Sequence, residues 1–337
     1  MTRRRELAVF VGTVVLLACG PLISPLVHLD ISIFSEVLVT TLAVLSVNLL
    51  LGYTGLPAFG NAAYFGLGAY GAALSVKYLN VDFVTAVLAG ATAAVAGALI
   101  LGPFLLRRRG IYFGLLSIAF GQVFYFIAYR YTDVTGGEDG MNFPRPPFGL
   151  GHVAIRETQF YYIVLAVFVV AMIAFRAVVR SPFGRTLIAI RQNEARVRYL
   201  GLDTDRFIFV ALLISALMAG VSGAFFGLLI NFAYPLELDW HQSGNFVLMM
   251  ILGGAGTIWG SLIGALIYVI GKDIISTITP LWQIFLGALF VACVLGFPRG
   301  IVGTLGALRR RPQTDPEDAA SNEAFDVNAP IEVGRGV

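Results

Sequence analysis

The polar side chains inside the long apolar runs are few, and their types limit the chemistry open to this chain. Asn48, Asn61, Gln122 and Asn245 are amides at depth, joined by Tyr53 and Tyr64. All are neutral donors and acceptors. Carriers driven by proton or sodium gradients usually place Asp, Glu or His within a span. Here Glu36 stands near the end of an apolar run, and the other acids fall at boundaries or in loops. A path lined by neutral groups suits a polar or zwitterionic solute driven by energy from elsewhere. The candidate pathway residues are Asn48, Tyr53, Gly55, Asn61, Tyr64 and Gln122. For any single amide the competing role is an interhelical hydrogen bond.

A second constellation stands in SPFGRTLIAIRQNEARVRYLG, residues 181–201, an Arg-rich insert between two apolar runs. Ser181 can cap free amides and Pro182 loses no bond at a first helical position, so one helix is expected to start here. Gly201 is a fitting stop. Leu187, Ile190, Val197 and Leu200 form a narrow apolar stripe, and Glu194 falls within it. A carboxylate on a face that buries must be paired or meet a donor on a partner. The alternative for this helix is adsorption on anionic lipid, which Glu194 disfavours.

Catalytic and cofactor chemistry finds little support. No GxxxxGK[ST] loop is present, because Gly271-Lys272 is followed by Asp273 and lacks the upstream Gly, so any ATP must be hydrolysed by another chain. His28, His152 and His241 are scattered, with no HExxH and no arguable Ser/His/Asp set. Cys19 and Cys293 lie in apolar segments without metal-ligand or CxxC spacing and read as packing residues. No cofactor or metal is expected on this chain.

The elements that must position these groups are membrane helices. The 337 residues are 58% hydrophobic and 13% charged, against about 25% charged in soluble domains, and mean hydropathy is +0.82. Apolar stretches near 7–29, 33–51, 58–79, 83–106, 111–131, 159–179, 207–231, 245–271 and 281–297 mostly approach the roughly 20 residues that cross a bilayer. They lack the period-two alternation of a barrel. The fold class is therefore all-α, a polytopic transmembrane bundle. The first run follows Arg3, Arg4 and Arg5 but shows no clear cleavage site, so it reads as a retained span.

Arginines cluster at 3–5, 107–109, 176–206 and 309–311, which places these loops and both termini in the cytoplasm. Both termini inside require an even number of spans. The run 245–271, with Gly253, Gly254 and Gly256 near its middle, is expected to make two short crossings, giving about ten spans with eight as the alternative. The net charge of +3 reports topology and gives no support to nucleic-acid binding. Residues 1–308 are expected to form the transmembrane domain, with 180–206 as its cytoplasmic insert, and the polar, acidic 309–337 is expected to be a disordered tail.

Glycines, 38 in all, mark close contacts and broken backbone. Gly256, Gly260 and Gly264 recur every four residues, as do Gly223 and Gly227, the spacing that lets helix backbones approach. Packing within the chain and a subunit interface both fit it. GYTGLPAFGNAAYFGLGAYG, residues 52–71, combines six glycines with Pro57, so a regular lipid-facing helix is not expected there. Transporters use such breaks to build substrate paths.

Together these residues resemble the permease subunits of ATP-binding-cassette importers for branched-chain amino acids, of the LivM type. The resemblance covers about residues 35–305 and rests on ordered motifs: NLLLGYTGLPAFGNAAYFGLGAYGAAL, RRRGIYFGLLSIAFGQ, TGGEDG at 135–140, the 181–201 insert, ISALMAGVSGAFFG, ILGGAGTIWG and FPRG at 297–300. It implies a non-enzymatic permease in a prokaryotic plasma membrane. The implied partners are a second LivH-like permease, two cytoplasmic ATP-binding subunits and an external solute-binding protein. Leucine, isoleucine or valine would be the cargo, with urea, short amides or other amino acids as alternatives. A stand-alone secondary carrier or channel, and a membrane enzyme, are the readings from other classes.

The resemblance also implies residue roles. The insert would dock into the ATPase through Arg185, Ile190, Arg191, Glu194, Ala195, Arg198 and Gly201. Glu194-Ala195 with Gly201 resembles the importer coupling signature, with Gly201 one residue late. The family usually has His where Asn61 stands. TGGEDG would lie on the external face, where Gly136, Gly137 and Gly140 permit a tight turn that receives the binding protein.

Overall fold

A computed structural model describes residues 3–21, 30–147, 156–297 and 300–309. The expected tail, apart from Arg309, lies outside them. Among the described residues the chain is helical, with one two-residue strand pair. Among those residues six helices are long and apolar enough to cross a membrane. In chain order the elements are α1 (Arg3–Ala18), α2 (Ile31–Val47), α3 (Asn61–Leu79), α4 (Phe83–Leu105), α5 (Ile111–Arg130) and the short α6 (Thr132–Thr135). There follow β1 (Met141–Asn142), α7 (Glu157–Arg180), α8 (Pro182–Tyr199), α9 (Thr204–Ile230), β2 (Phe232–Ala233), α10 (Trp240–Gly253), α11 (Ile258–Ile278), α12 (Trp282–Gly296) and α13 (Gly300–Arg309).

The centre is α2. With its continuation to Tyr53 it is 83% buried along its most apolar stretch, against 28% for α5 and α7, which show their apolar flanks to the surroundings. Beside α2, the helices α3, α4 and α9 pack against one another backbone to backbone because small residues meet. A Cβ on Gly223 would overlap the Phe65 carbonyl, and one on Gly68 would overlap Gly220. Such contact supplies dispersion where lipid offers no hydrophobic drive between helices.

The backbone breaks fall in two places. After α2 the chain widens into a π-turn over Asn48–Tyr53, with Thr54 N donating to Leu49 O (3.2 Å) and Leu56 N to Leu50 O (2.9 Å), then runs irregularly until α3 begins at Asn61. The second break separates α10 from α11, where Gly254 and Gly256 take φ of 123° and 75°, a region costly for any side chain. The run 245–271 is thus divided at its glycines as expected, but not into two short pieces. Only α10 is short, at 14 residues; α11 has 21 and is long enough alone.

At the end opposite the Arg-rich loops, β1 pairs antiparallel with β2, Met141 opposite Ala233 and Asn142 opposite Phe232. This ties the connection after α5 to the one after α9.

Candidate functional site

The six pathway candidates separate into groups. Asn48 closes the second break onto the first: its Nδ2 donates to Thr257 O and Ser261 Oγ, both at 2.9 Å, and its Oδ1 accepts from Gly256 N at 2.8 Å. Asn61, fully buried, donates to Ser46 Oγ (2.6 Å) and accepts from Ser215 Oγ (3.1 Å), joining α2, α3 and α9. The start of α3 lies inside the protein, where its free amides need partners. Gly60 N donates to Ser117 Oγ at 3.1 Å and Ala62 N to Ser243 Oγ at 2.8 Å. Tyr64 and Asn61 line a small cavity of about 10 Å³ with Ser117 and Gly121, the size of one water and far below the roughly 300–1,000 Å³ of ligand pockets. Tyr53 packs edge-on against Phe175. Gly55, at φ 77°, lies against the Arg191 side chain, so it belongs to the Arg-rich end.

Gln122 stands apart. Its Nε2 donates to Asp239 Oδ1 at 2.7 Å, and that carboxylate also accepts from Trp240 N at 2.7 Å and meets His241 Nδ1 at 2.7 Å through Oδ2. Beside His241 a second cavity, of about 380 Å³, opens between α10, α11 and α12. Sequence reading assigned His241 no role; only the turn before α10 sets it beside Asp239.

The turn preceding α10 also holds Glu237, a buried acid that falls in a loop by sequence. Both its carboxylate oxygens lack a hydrogen-bond partner among the described residues. Burial pushes its pKa well above the ordinary carboxylate range.

The insert differs from the single helix expected. Asn193 has φ −161° and ψ 97°, so α8 is two helical pieces, and the Asn193 side chain caps the second by accepting from Arg196 N at 2.9 Å. Ser181 caps the first, accepting from Gly184 N at 3.3 Å. Leu187, Ile190 and Val197 are buried as the stripe requires, but Leu200 is 75% exposed. Arg191 reaches back to the Gly52 carbonyl.

Glu194 finds its partners within the chain. It is bound by Arg109 Nε at 2.9 Å, Arg198 Nη2 at 2.9 Å and Thr204 Oγ1 at 3.0 Å, while Arg109 also pairs with Asp205. Burial works to raise its pKa, but the hydrogen bond and charge of Arg109, with Thr204 and Arg198, hold it below the ordinary value. The network fastens the second piece of α8 to the end of α4 and the start of α9. Arg185, Ala195 and Tyr199 remain exposed, Tyr199 by 92%, and Gly201 ends the segment at φ 82° with open space around it.

Gly136, Gly137 and Gly140 all take positive φ, and a side chain on Gly136 would strike the Gly140 carbonyl. Thr135 Oγ1 donates to Ala128 O at 2.5 Å and anchors this turn on α5. Gly260 and Gly264 pack against Gly253 and Met249 of α10, and Gly256 against Gly52, all within the chain. Among the described residues no three His, Cys, Asp or Glu side chains group as metal ligands.

Comparison with known proteins matches residues 31–294 to the family described as branched-chain amino acid transport system / permease component. The high-affinity branched-chain amino acid transport system permease protein LivM of Escherichia coli is 28% identical over 304 residues, 83% of this chain and 69% of that protein. The probable LivM permease of Methanocaldococcus jannaschii is 26% identical over 273 residues, 69% of this chain and 77% of its own. LivH of Escherichia coli is 31% identical over 136 residues, 40% of this chain and 44% of its own. No solved structure gives a significant match. With a broken helical bundle, a fastened Arg-rich insert and a family match over 31–294, the chain belongs to the branched-chain amino acid transport system permease family.

Proposed function

We propose that this chain is one of two permease subunits of an ATP-binding-cassette importer, moving leucine, isoleucine or valine while separate subunits hydrolyse ATP. The observation that carries the reading is α8. An ion-paired network holds it rigidly to two spans and leaves Arg185, Ala195, Tyr199 and Leu200 facing outward. A helix that is fixed from behind and bare in front transmits the motion of whatever grips it. In this reading the Arg-rich end is cytoplasmic, the ATPase holds the exposed face, and Ile190, Arg191, Glu194 and Arg198 pass its movement to α2, α4 and α9.

Sequence similarity to both LivM and LivH supports a partner permease of LivH type. The glycine turn 136–140 would receive a solute-binding protein on the far side. Asn48, Asn61, Tyr53 and Tyr64 stand where two broken helices meet, so the path opens there when the breaks shift. Gln122 serves through Asp239.

The test is uptake of labelled leucine and, separately, urea into proteoliposomes holding this chain with the partner permease and ATPases, with and without internal ATP and external binding protein. Leucine uptake that needs every component is expected. Urea uptake alone would keep the machine and change the cargo. Flux through this chain without ATP would replace the importer with a carrier or channel.

A further inference from the structure

The second cavity lies apart from the Asn48 and Asn61 breaks, and its lining is ordered. On α10 the lining residues His241, Asn245, Leu248 and Leu252 follow helical spacing and change from polar to apolar along the helix. On α12, Gln283 precedes Leu286 and Phe290 in the same sense. Gly260 lies against Gly253 and Gly264 against Met249, so α11 runs antiparallel to α10, and a three-residue turn returns the chain into α12. The helices α10 and α12 therefore run the same way, and their polar ends lie at one end of the cavity. Tyr268 of α11 adds a hydroxyl.

We propose that this cavity is a binding site for a zwitterionic amino acid with a branched aliphatic side chain, resting on the permease reading above. Its volume of about 380 Å³ lies within the roughly 300–1,000 Å³ of small-molecule sites. The polar end matches a zwitterion. Asp239 Oδ2 only accepts, so His241 Nδ1 donates to it and Nε2 is the lone-pair atom of the ring, open to an ammonium group; the Trp240 ring, 4.0 Å away by centroids, packs beside it. Asn245 Nδ2 donates to Gln242 Oε1 at 3.1 Å, which leaves its Oδ1 for an ammonium group. The Gln283 amide N–H and the Tyr268 hydroxyl are the donors for the carboxylate. Such groups satisfy both charges of an amino acid and strand neither.

The apolar end selects the side chain. Leu248, Leu252, Leu286 and Phe290 present hydrocarbon to a branched aliphatic group and no partner to a polar one. Asn, Ser or a charged residue would leave its polar atoms unpaired there, a stronger discrimination than shape alone provides.

The test uses the full transporter complex with labelled leucine, each variant compared at equal assembly judged by co-purification. Asn245→Leu is expected to raise the KM for leucine about tenfold or more, since a polar contact to a charged group is lost. Leu248→Trp, which fills the apolar end, should abolish uptake. Wild-type KM in both variants overturns the site and leaves the importer reading intact, whereas a wild-type complex that fails to import leucine overturns that reading. A diazirine leucine analogue supplies a second measurement on the unaltered protein. Labelling of peptides from 240–253 and 282–296, competed by leucine, is expected. Labelling elsewhere, or competition there by phospholipid and not by leucine, assigns the cavity to lipid and overturns the proposal.

Discussion

The two halves of this bundle are packed by opposite means. In one, small residues bring α3, α4 and α9 into backbone contact with one another, and the cavity beside Asn61 holds about one water. Around α12 the packing is looser, and about 380 Å³ opens between α10, α11 and α12. Gly287 of α12 has no atom within 4 Å of where a Cβ would stand, whereas a Cβ on Gly223 of α9 would overlap backbone. Close backbone packing leaves no room for a solute in this conformation; looser packing leaves room at the expense of contact.

The largest predicted effect tests that contrast directly. Gly223→Leu should prevent stable folding, with no monodisperse protein recovered in detergent, because overpacking against a backbone carbonyl cannot relax by a rotamer change. Gly287→Leu should leave the melting temperature within about 2 °C, since it fills open space. Equal loss in both would remove the distinction.

Asn48→Leu comes next. It strands Gly256 N and removes the donor to Thr257 O and Ser261 Oγ, so thermal unfolding should show about 2–4 kcal/mol lost. Asn61→Leu should cost less, because Ser215 Oγ keeps its bond to Ser46 O at 2.9 Å. A larger loss at Asn61 would move the structural hinge from the second break to the first.

At the Arg-rich end, Arg109→Ala should weaken co-purification of the ATPase subunits severalfold without touching the exposed face of α8, because Glu194 loses the cation that ties it to the end of α4. The pH dependence follows the depressed pKa of Glu194. Its contribution to holding α8 is present above its unfolded pKa and is lost as pH falls through the lower folded value. ATPase association should therefore weaken on acidification within and below the carboxylate range, and Glu194→Gln should flatten that part of the profile.

The smallest effect concerns Glu237. Its raised pKa means that stability is highest where the group is protonated and declines as pH rises toward the folded value. Glu237→Gln should raise the melting temperature slightly at neutral pH and reduce the pH dependence there. A fall would show that the carboxylate has a partner in the working complex.

Much of the frame was legible in the chain. Long apolar runs and the glycine spacing report helices and contacts because a bilayer demands backbone bonds satisfied within each segment. The break within 245–271 was visible in Gly253, Gly254 and Gly256 and falls there; the length of its second arm was not, since α11 runs on to Ile278 and is long enough alone to span. The burial of Glu194 followed from its position in the stripe. Its partner was not legible, because Arg109 lies 85 residues away. The kink at Asn193 escaped the reading because the helical period passes through it unbroken.

By itself, then, the sequence determined that this is a helical membrane protein with an Arg-rich insert, neutral amides at depth and no GxxxxGK[ST] stretch. These follow from composition and local pattern, which act within a few turns of chain. Only the tertiary structure decided which amides hold helices together, where Glu194 is anchored and that His241, Asn245 and Gln283 share one cavity. Each of those is a contact between segments far apart in the chain, and such contacts are set by how whole helices pack.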